Sequence, residues 1–372
     1  VTRKNTLPYR LRLPGPTAVP ERVQKAIAGP VLNHRGPEFT DIVKATVSLA
    51  QPILGTENDV MFFASSGTGM MEAALANALG EGERALVLSY GAFGERFSSI
   101  AKALGIETEQ LAAPWGETVS ASQLEEKLRE NNFQAVVVVH NESSTGAVSD
   151  LEALGKVVGN TDAILIVDSV SGLGGVEMRQ DDWGVDILVS ASQKALMCPP
   201  GLGLASISDK AWDRVEQEAG KKRYYWDFRK ARDSAAKDQT AFTTPVTLMC
   251  GLNEALTMMH EEGLDNVLRR HEQLSDTFRA GGHALGLSDF ARAATKSNTV
   301  AVFSMPEGVD GNAVVAHMYE HFNTVIAGAR NWLSGKVIRI GTMGHISQTD
   351  IETDLKYLAS TMQYLSASAK NG

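Results

Sequence analysis

The stretch "DILVSASQKALMCPPGLGLASIS", residues 186–208, sets two short apolar runs (186–192 and 201–208) around a single lysine, Lys194. Runs of this length, rich in β-branched and small residues and bounded by a Pro-Pro-Gly turn, predict strands buried on both faces. Four further runs of the same kind precede them: "DVMFFASS" (59–66), "RALVLSY" (84–90), "QAVVVVH" (134–140) and "AILIVDS" (163–169). Helical patterns lie between. "GMMEAALANAL" is made of strong helix formers. "SASQLEEKLREN" opens on a serine cap and spaces its apolar residues along one helix face. Strand–helix alternation predicts an α/β fold with a mainly parallel sheet, in which ligands sit beyond the carboxyl ends of the strands. After about residue 245 the pattern changes. Two long helical stretches lead into strand-like "TVAVFSM" (299–305), "NTVIAG" (323–328) and "KVIRIG" (336–341), alternating with helices. Two units are expected: an N-terminal segment with a large domain over 1–270, and a small C-terminal α/β domain over 271–372.

Composition narrows the function. The chain has 372 residues, is 43% hydrophobic and carries a formal net charge of -9. That acidity argues against nucleic-acid and anionic-membrane partners, which need basic patches. No apolar run approaches the ~20 residues that span a bilayer. The opening "VTRKNTLPYRLRLPGP" has no apolar core of the signal-peptide kind. Two cysteines, Cys198 and Cys250, cannot build a disulfide framework, and the cytoplasm is the expected location. No CxxC or HExxH pattern is present, so no metal site is expected.

The chemistry-bearing residues cluster at the predicted strand ends. Lys194 is either a structural lysine or an amine able to condense with an aldehyde, a role that small surroundings and a lowered pKa favour. Asp168 ends the run "AILIVD". It either caps the next helix or pairs with a pyridinium nitrogen, and pyridoxal phosphate needs both such a lysine and such a carboxylate. Ser66-Gly67-Thr68 stands between a strand and a helix, where backbone N–H groups favour an anion and where hydroxyls also serve as ordinary caps. Phe93 in "SYGAFGERF" is either a core residue or a face for a ring. "VVVVHNESSTGAV" follows its strand with Asn141, Glu142, Ser143, Ser144 and Thr145, all polar groups that need partners. Arg339, in the largely apolar "KVIRIG", needs a carboxylate from the protein or from a substrate.

Taken in order, SGT, GxxG, HxESSTG, VDSVxxxGG, SxSQKAL followed by PPG, TxPV and RIGxxG, these motifs resemble class-V, fold-type I, PLP-dependent aminotransferases. The nearer likeness is to the alanine–glyoxylate and serine–glyoxylate (serine–pyruvate) branch, and it runs from "LPGPTAVPERV" to "KVIRIGTMGH". The resemblance implies that Lys194 is the Schiff-base lysine and Asp168 the carboxylate on the ring nitrogen. Ser66, Gly67, Thr68 and Gln193 would hold the phosphate, Ser143 the ring hydroxyl, and Phe93 would stack on the ring. Thr243 would reach a partner subunit's phosphate, so a homodimer with shared sites is implied. Arg339 would grip the substrate carboxylate. Four places depart from the pattern: Phe93 where tryptophan is common, Thr68 where some members have histidine, Thr240 where some have tyrosine, and "AGARNWLSGK" where a more glycine-rich stretch is usual. His34 and Arg35, in "LNHRGPEF", would contact substrate or line the dimer interface.

The implied reaction is transamination between alanine or serine and glyoxylate or pyruvate. A ureidoglycine–glyoxylate aminotransferase, a lyase or desulfurase of the same fold, and a non-catalytic assembly protein are the alternatives. The last is disfavoured by the presence of both Lys194 and Asp168. A desulfurase needs an exposed loop cysteine, and neither Cys198 nor Cys250 reads as one.

Overall fold

The computed structural model describes residues 7–217 and 223–369. Its centre is a seven-stranded sheet made of β1 (Val60–Ser65), β2 (Arg84–Ser89), β3 (Glu107–Ala112), β4 (Ala135–Val139), β5 (Ile164–Asp168), β6 (Ile187–Ala191) and β7 (Gly201–Ile207). The strand order is β1-β7-β6-β5-β4-β2-β3. Only β7 runs antiparallel to its neighbours. The cause is chain length. A parallel return needs a crossover of a dozen or so residues, and the Lys194 loop joining β6 to β7 is too short to supply one.

The apolar runs are explained by alternation across the sheet. Val136, Val138, Leu165 and Val167 enter the core on one face, while Val137, Val139, Ile164 and Ile166 enter the core on the other. Strand β3, "ETEQLA", carries no such run. It is an edge strand with exposed and half-buried side chains, paired only to β2.

The C-terminal part holds an antiparallel sheet of β8 (Ser288–Asp289), β9 (Val300–Ser304), β10 (Ala327–Gly328) and β11 (Val337–Gly341), in the order β8-β9-β11-β10. The helices Leu264–Ala284, Gly311–Phe322 and Gln348–Ala369 cover its core. The run "NTVIAG" splits in two. Its second half forms β10, whereas Thr324–Val325 pairs in parallel with Arg10–Leu11 from the start of the chain.

That N-terminal strand is pinned by charge. Arg12 Nε lies 2.6 Å from Asp354 Oδ2, and Arg10 Nε 2.8 Å from Asp354 Oδ1. Both arginines also reach Asp350. Beyond it, the segment "LPGPT" crosses to the large sheet, where Thr17 N–H donates to the Gln193 carbonyl at 3.1 Å and Thr17 Oγ1 to the Lys194 carbonyl at 2.9 Å. The lysine loop is therefore tied to the C-terminal part through the chain's own beginning.

Candidate active site

The carboxyl ends of β1, β2, β4, β5 and β6 open on one side of the sheet, around a cavity of about 260 Å³. Its lining includes Ser66, Gly67, Thr68, Phe93, Ser143, Asp168, Gln193 and Lys194. Eight of the expected residues thus converge.

Lys194 enters from the loop after β6 and donates to the carbonyl of Pro14. Burial pulls its amine down to about 8; Arg339 and Arg96 act in the same direction and Asp168 opposes them. Asp168 ends β5 and is buried. Its Oδ1 accepts the Val170 N–H at 2.7 Å. Burial nevertheless pushes this carboxyl up to about 6, since desolvation disfavours the charged form. The lysine and the aspartate are each held in the state that a charged or reactive partner would relieve.

Ser66 caps the helix Gly67–Ala78, its Oγ accepting from Gly69 N–H at 3.4 Å. The first N–H groups of a helix have no intrahelical partner, and the first two residues of this helix, Gly67 and Thr68, line the cavity. Gly67 is required by packing: a Cβ there would stand 2.7 Å from Val170 Cγ2. Two buried amide oxygens, Asn141 Oδ1 and Gln193 Oε1, have no hydrogen-bond partner, and both residues line the cavity. Unpartnered buried oxygens are costly, which marks this as a place where a polar ligand completes the structure.

Glu142 shapes the site without lining it. It is fully buried and accepts the N–H groups of Phe93 (2.9 Å) and Gly94 (3.3 Å), together with Ser144 Oγ (2.6 Å). A carboxylate at a helix start satisfies free donors. The "ESSTG" stretch thereby fixes the first turn of the helix Ala92–Ala103, which carries Phe93. Arg339 does not itself line the cavity but touches a residue that does: its Nη1 donates to the Ser143 carbonyl at 3.4 Å, while Nε and Nη2 donate to the Gly328 carbonyl at 2.9 and 2.8 Å. Among the described residues it makes no ion pair with a carboxylate, so the internal-pair alternative has no partner in this structure.

Three residues lie elsewhere. Thr243 lines a separate groove with Phe62, Thr240 and Phe242, and its hydroxyl is 3.4 Å from His34 Nε2. Arg35 spends its guanidinium on the 239–241 turn, at 2.7 Å from the Thr240 carbonyl and 3.1 Å from Gln239 Oε1. Of the charged lining residues, Arg96 alone was not singled out from the sequence. Arg96 donates to Thr68 Oγ1 at 3.0 Å and lies over the Phe93 ring at 4.5 Å. The available signal was its position one turn after Phe93.

A lysine and a carboxylate ending adjacent parallel strands, with a helix N-terminus beside them, define a fold-type I site. The chain belongs to the class-V aminotransferase family, whose model matches residues 17–360. Among its relatives, the serine–glyoxylate aminotransferase of Methylorubrum extorquens is 34% identical over 92% of this chain and 88% of its own. A protein of Synechococcus sp. named soluble hydrogenase, small subunit, is 37% identical over 95% of this chain and 93% of its own. The alanine–glyoxylate aminotransferase structure from Nostoc sp. superposes with a TM-score of 0.90 at 29% identity, covering 98% of this chain and 97% of that one. Membership of this family implies pyridoxal phosphate.

Proposed function

We propose that the protein transfers an amino group from a small amino acid, alanine or serine, to a small 2-oxo acid, glyoxylate or pyruvate. The observation that carries this reading is the convergence of Lys194 and Asp168 on one cavity, beside an arginine, Arg339, that is held by backbone carbonyls and by no carboxylate among the described residues. When bound, pyridoxal phosphate supplies the electron sink for the substrate's α-carbon. Lys194 Nζ would hold the cofactor's aldehyde carbon, then take the α-proton and return it. Asp168 would keep a proton on the ring nitrogen. Ser66, Gly67, Thr68 and Gln193 would hold the phosphate, and Ser143 the ring hydroxyl. Phe93 supplies an apolar wall that excludes water. Arg339 would orient the α-carboxylate of both donor and acceptor.

The dimer is part of the proposal. Thr243 stands outside its own chain's cavity, which fits a contact to the phosphate of a second subunit. A cytoplasmic enzyme fits two unpaired cysteines. The division near residue 270 is supported by the helix Leu264–Ala284, whose Val267 joins the large core and whose Leu274 joins the small one. The strand Arg10–Leu11, which pairs with the C-terminal part, is the exception. The hydrogenase name stays with that relative, since the residues gathered in this cavity are those expected of amino transfer. Desulfuration is disfavoured by Cys198, whose buried thiol is pushed up to about 12.

A second donor is favoured by Arg330. It is exposed, and its charge is felt at Arg339. Two neighbouring cations suit a dicarboxylic donor such as aspartate. The test for both readings is spectroscopic. Purified protein should carry a visible absorbance band that bleaches with the preferred donor and returns with glyoxylate. Screening alanine, serine and aspartate ranks the donors. Protein that takes up no pyridoxal phosphate would overturn the reading.

A further inference from the structure

Arg96 has no part in the chemistry above, yet it touches two of the groups expected to meet the cofactor. Its Nη1 donates to Thr68 Oγ1 at 3.0 Å, its guanidinium carbon lies 4.5 Å from the centre of the Phe93 ring, and it lines the same cavity. A guanidinium has donors and no acceptor. In this pair, therefore, the Thr68 oxygen accepts and its own O–H proton is released for another partner. Thr68 Oγ1 makes no other hydrogen bond among the described residues. The residue sits in the first turn of the helix Gly67–Ala78, where backbone N–H groups already favour an anion. A threonine hydroxyl in a helix otherwise tends to turn back onto a carbonyl of the preceding turn. The Phe93 face in turn holds the guanidinium in place, as aromatic faces attract cations.

We propose that Arg96 is a positioning residue for the cofactor's phosphate, fixing the Thr68 hydroxyl as a hydrogen-bond donor toward a phosphate oxygen. The inference rests on the reading that pyridoxal phosphate occupies this cavity.

The test compares two probes on the apoprotein: pyridoxal phosphate, and pyridoxal, which has the same ring and aldehyde without the phosphate. Dissociation constants come from quenching of tryptophan fluorescence. Arg96→Met should weaken pyridoxal phosphate by about 10- to 100-fold, the range of one charge-assisted hydrogen bond, and leave pyridoxal unchanged. Thr68→Val should do the same. The double variant should bind no more weakly than the poorer single variant, because both remove one path. Arg96→Lys, which keeps a donor, should recover part of the loss. Equal weakening of both probes would mean that Arg96 serves the ring or the fold instead. Additive losses in the double variant would mean that it acts on the phosphate without Thr68. If Arg96→Met does not fold, Thr68→Val decides alone: unchanged pyridoxal phosphate binding in that variant overturns the proposal. Failure of the parent apoprotein to bind pyridoxal phosphate would instead overturn the functional reading beneath it.

Discussion

Gly15 lies directly against the side chain of Lys194. A Cβ on Gly15 would stand 2.4 Å from Cδ, 2.5 Å from Cε and 2.6 Å from Nζ of the lysine, and the glycine's φ is +112°. Both the conformation and the close approach exclude a side chain at this position. Gly15→Ala is therefore expected to displace the lysine and to strain the backbone at a cost on the order of 1–3 kcal/mol. A displacement of about 1 Å at a reacting group is enough to cost about a hundredfold in rate. Steady-state kinetics and a thermal melt on the variant check both effects. Full activity would show that the lysine has room to move aside.

The lysine's own titration gives a second expectation. With its amine pulled down to about 8, Lys194 is mostly protonated at neutral pH and becomes free as pH rises. Covalent uptake of pyridoxal phosphate by the apoprotein should speed up roughly tenfold per unit of pH below 8 and level off above it. Stopped-flow uptake between neutral and alkaline pH measures this. Lys194→Ala should show no covalent uptake and no turnover, and borohydride should label this lysine alone in the parent.

Asp168 separates function from stability. Its carboxyl is raised to about 6 in the folded protein, above the ordinary aspartate value near 3.9. The folded state thus binds the proton more tightly than the unfolded one. The resulting destabilisation is absent below about 4, grows as pH rises through the window, and is complete above about 6. Asp168→Asn keeps an oxygen for the Val170 N–H and removes that buried charge. The apo variant should melt at or above the parent temperature at neutral pH, with the gap closing toward pH 4. Turnover should fall by orders of magnitude, because a neutral amide cannot hold the ring nitrogen protonated. No helix follows Asp168, so the cap expected as its alternative role is absent; a variant that is both active and no more stable would leave it only the turn contact to the Val170 N–H.

The parts of this site that were legible in the sequence are those whose signals are local. Six strands of the large sheet were readable because burial on both faces leaves an unbroken apolar run. The polar edge strand β3 was not, since an exposed edge needs no such run. Asp168 and Lys194 stood out because each is a charge at the end of an apolar run. The orientation of β7 was hidden in loop length. The approach of Gly15 to Lys194 was hidden because it depends on how the N-terminal segment is anchored through Arg10 and Arg12 to Asp350 and Asp354, residues far apart in the chain. Arg96 was hidden because an arginine on an amphipathic helix looks like any solvated one until Thr68 and Phe93 are brought beside it.

Arg339 gives the sharpest test of substrate recognition. Its fork is divided between two backbone carbonyls, at 2.8 and 2.9 Å from Gly328 and 3.4 Å from Ser143, and burial lowers its pKa while Glu142 supports its charge. Among the described residues this guanidinium pairs with no carboxylate, and one of its contacts is to Ser143, which lines the cavity. A substrate carboxylate would form a charge-assisted contact worth about 2–4 kcal/mol in a partly desolvated site. Arg339→Ala should therefore lose very roughly thirty- to a thousandfold in kcat/KM, at 1.36 kcal/mol per decade. The loss should appear in both half-reactions, measured separately by bleaching with serine or alanine and by recovery with glyoxylate, since donor and acceptor carry the same group. Cofactor content should stay near normal, because the phosphate and ring are held by other residues. A variant that loses cofactor or melts early while its per-site rates persist would make Arg339 a clamp on the Gly328 strand. The carboxylate grip would then fall to Arg330, the exposed neighbour whose charge Arg339 already feels.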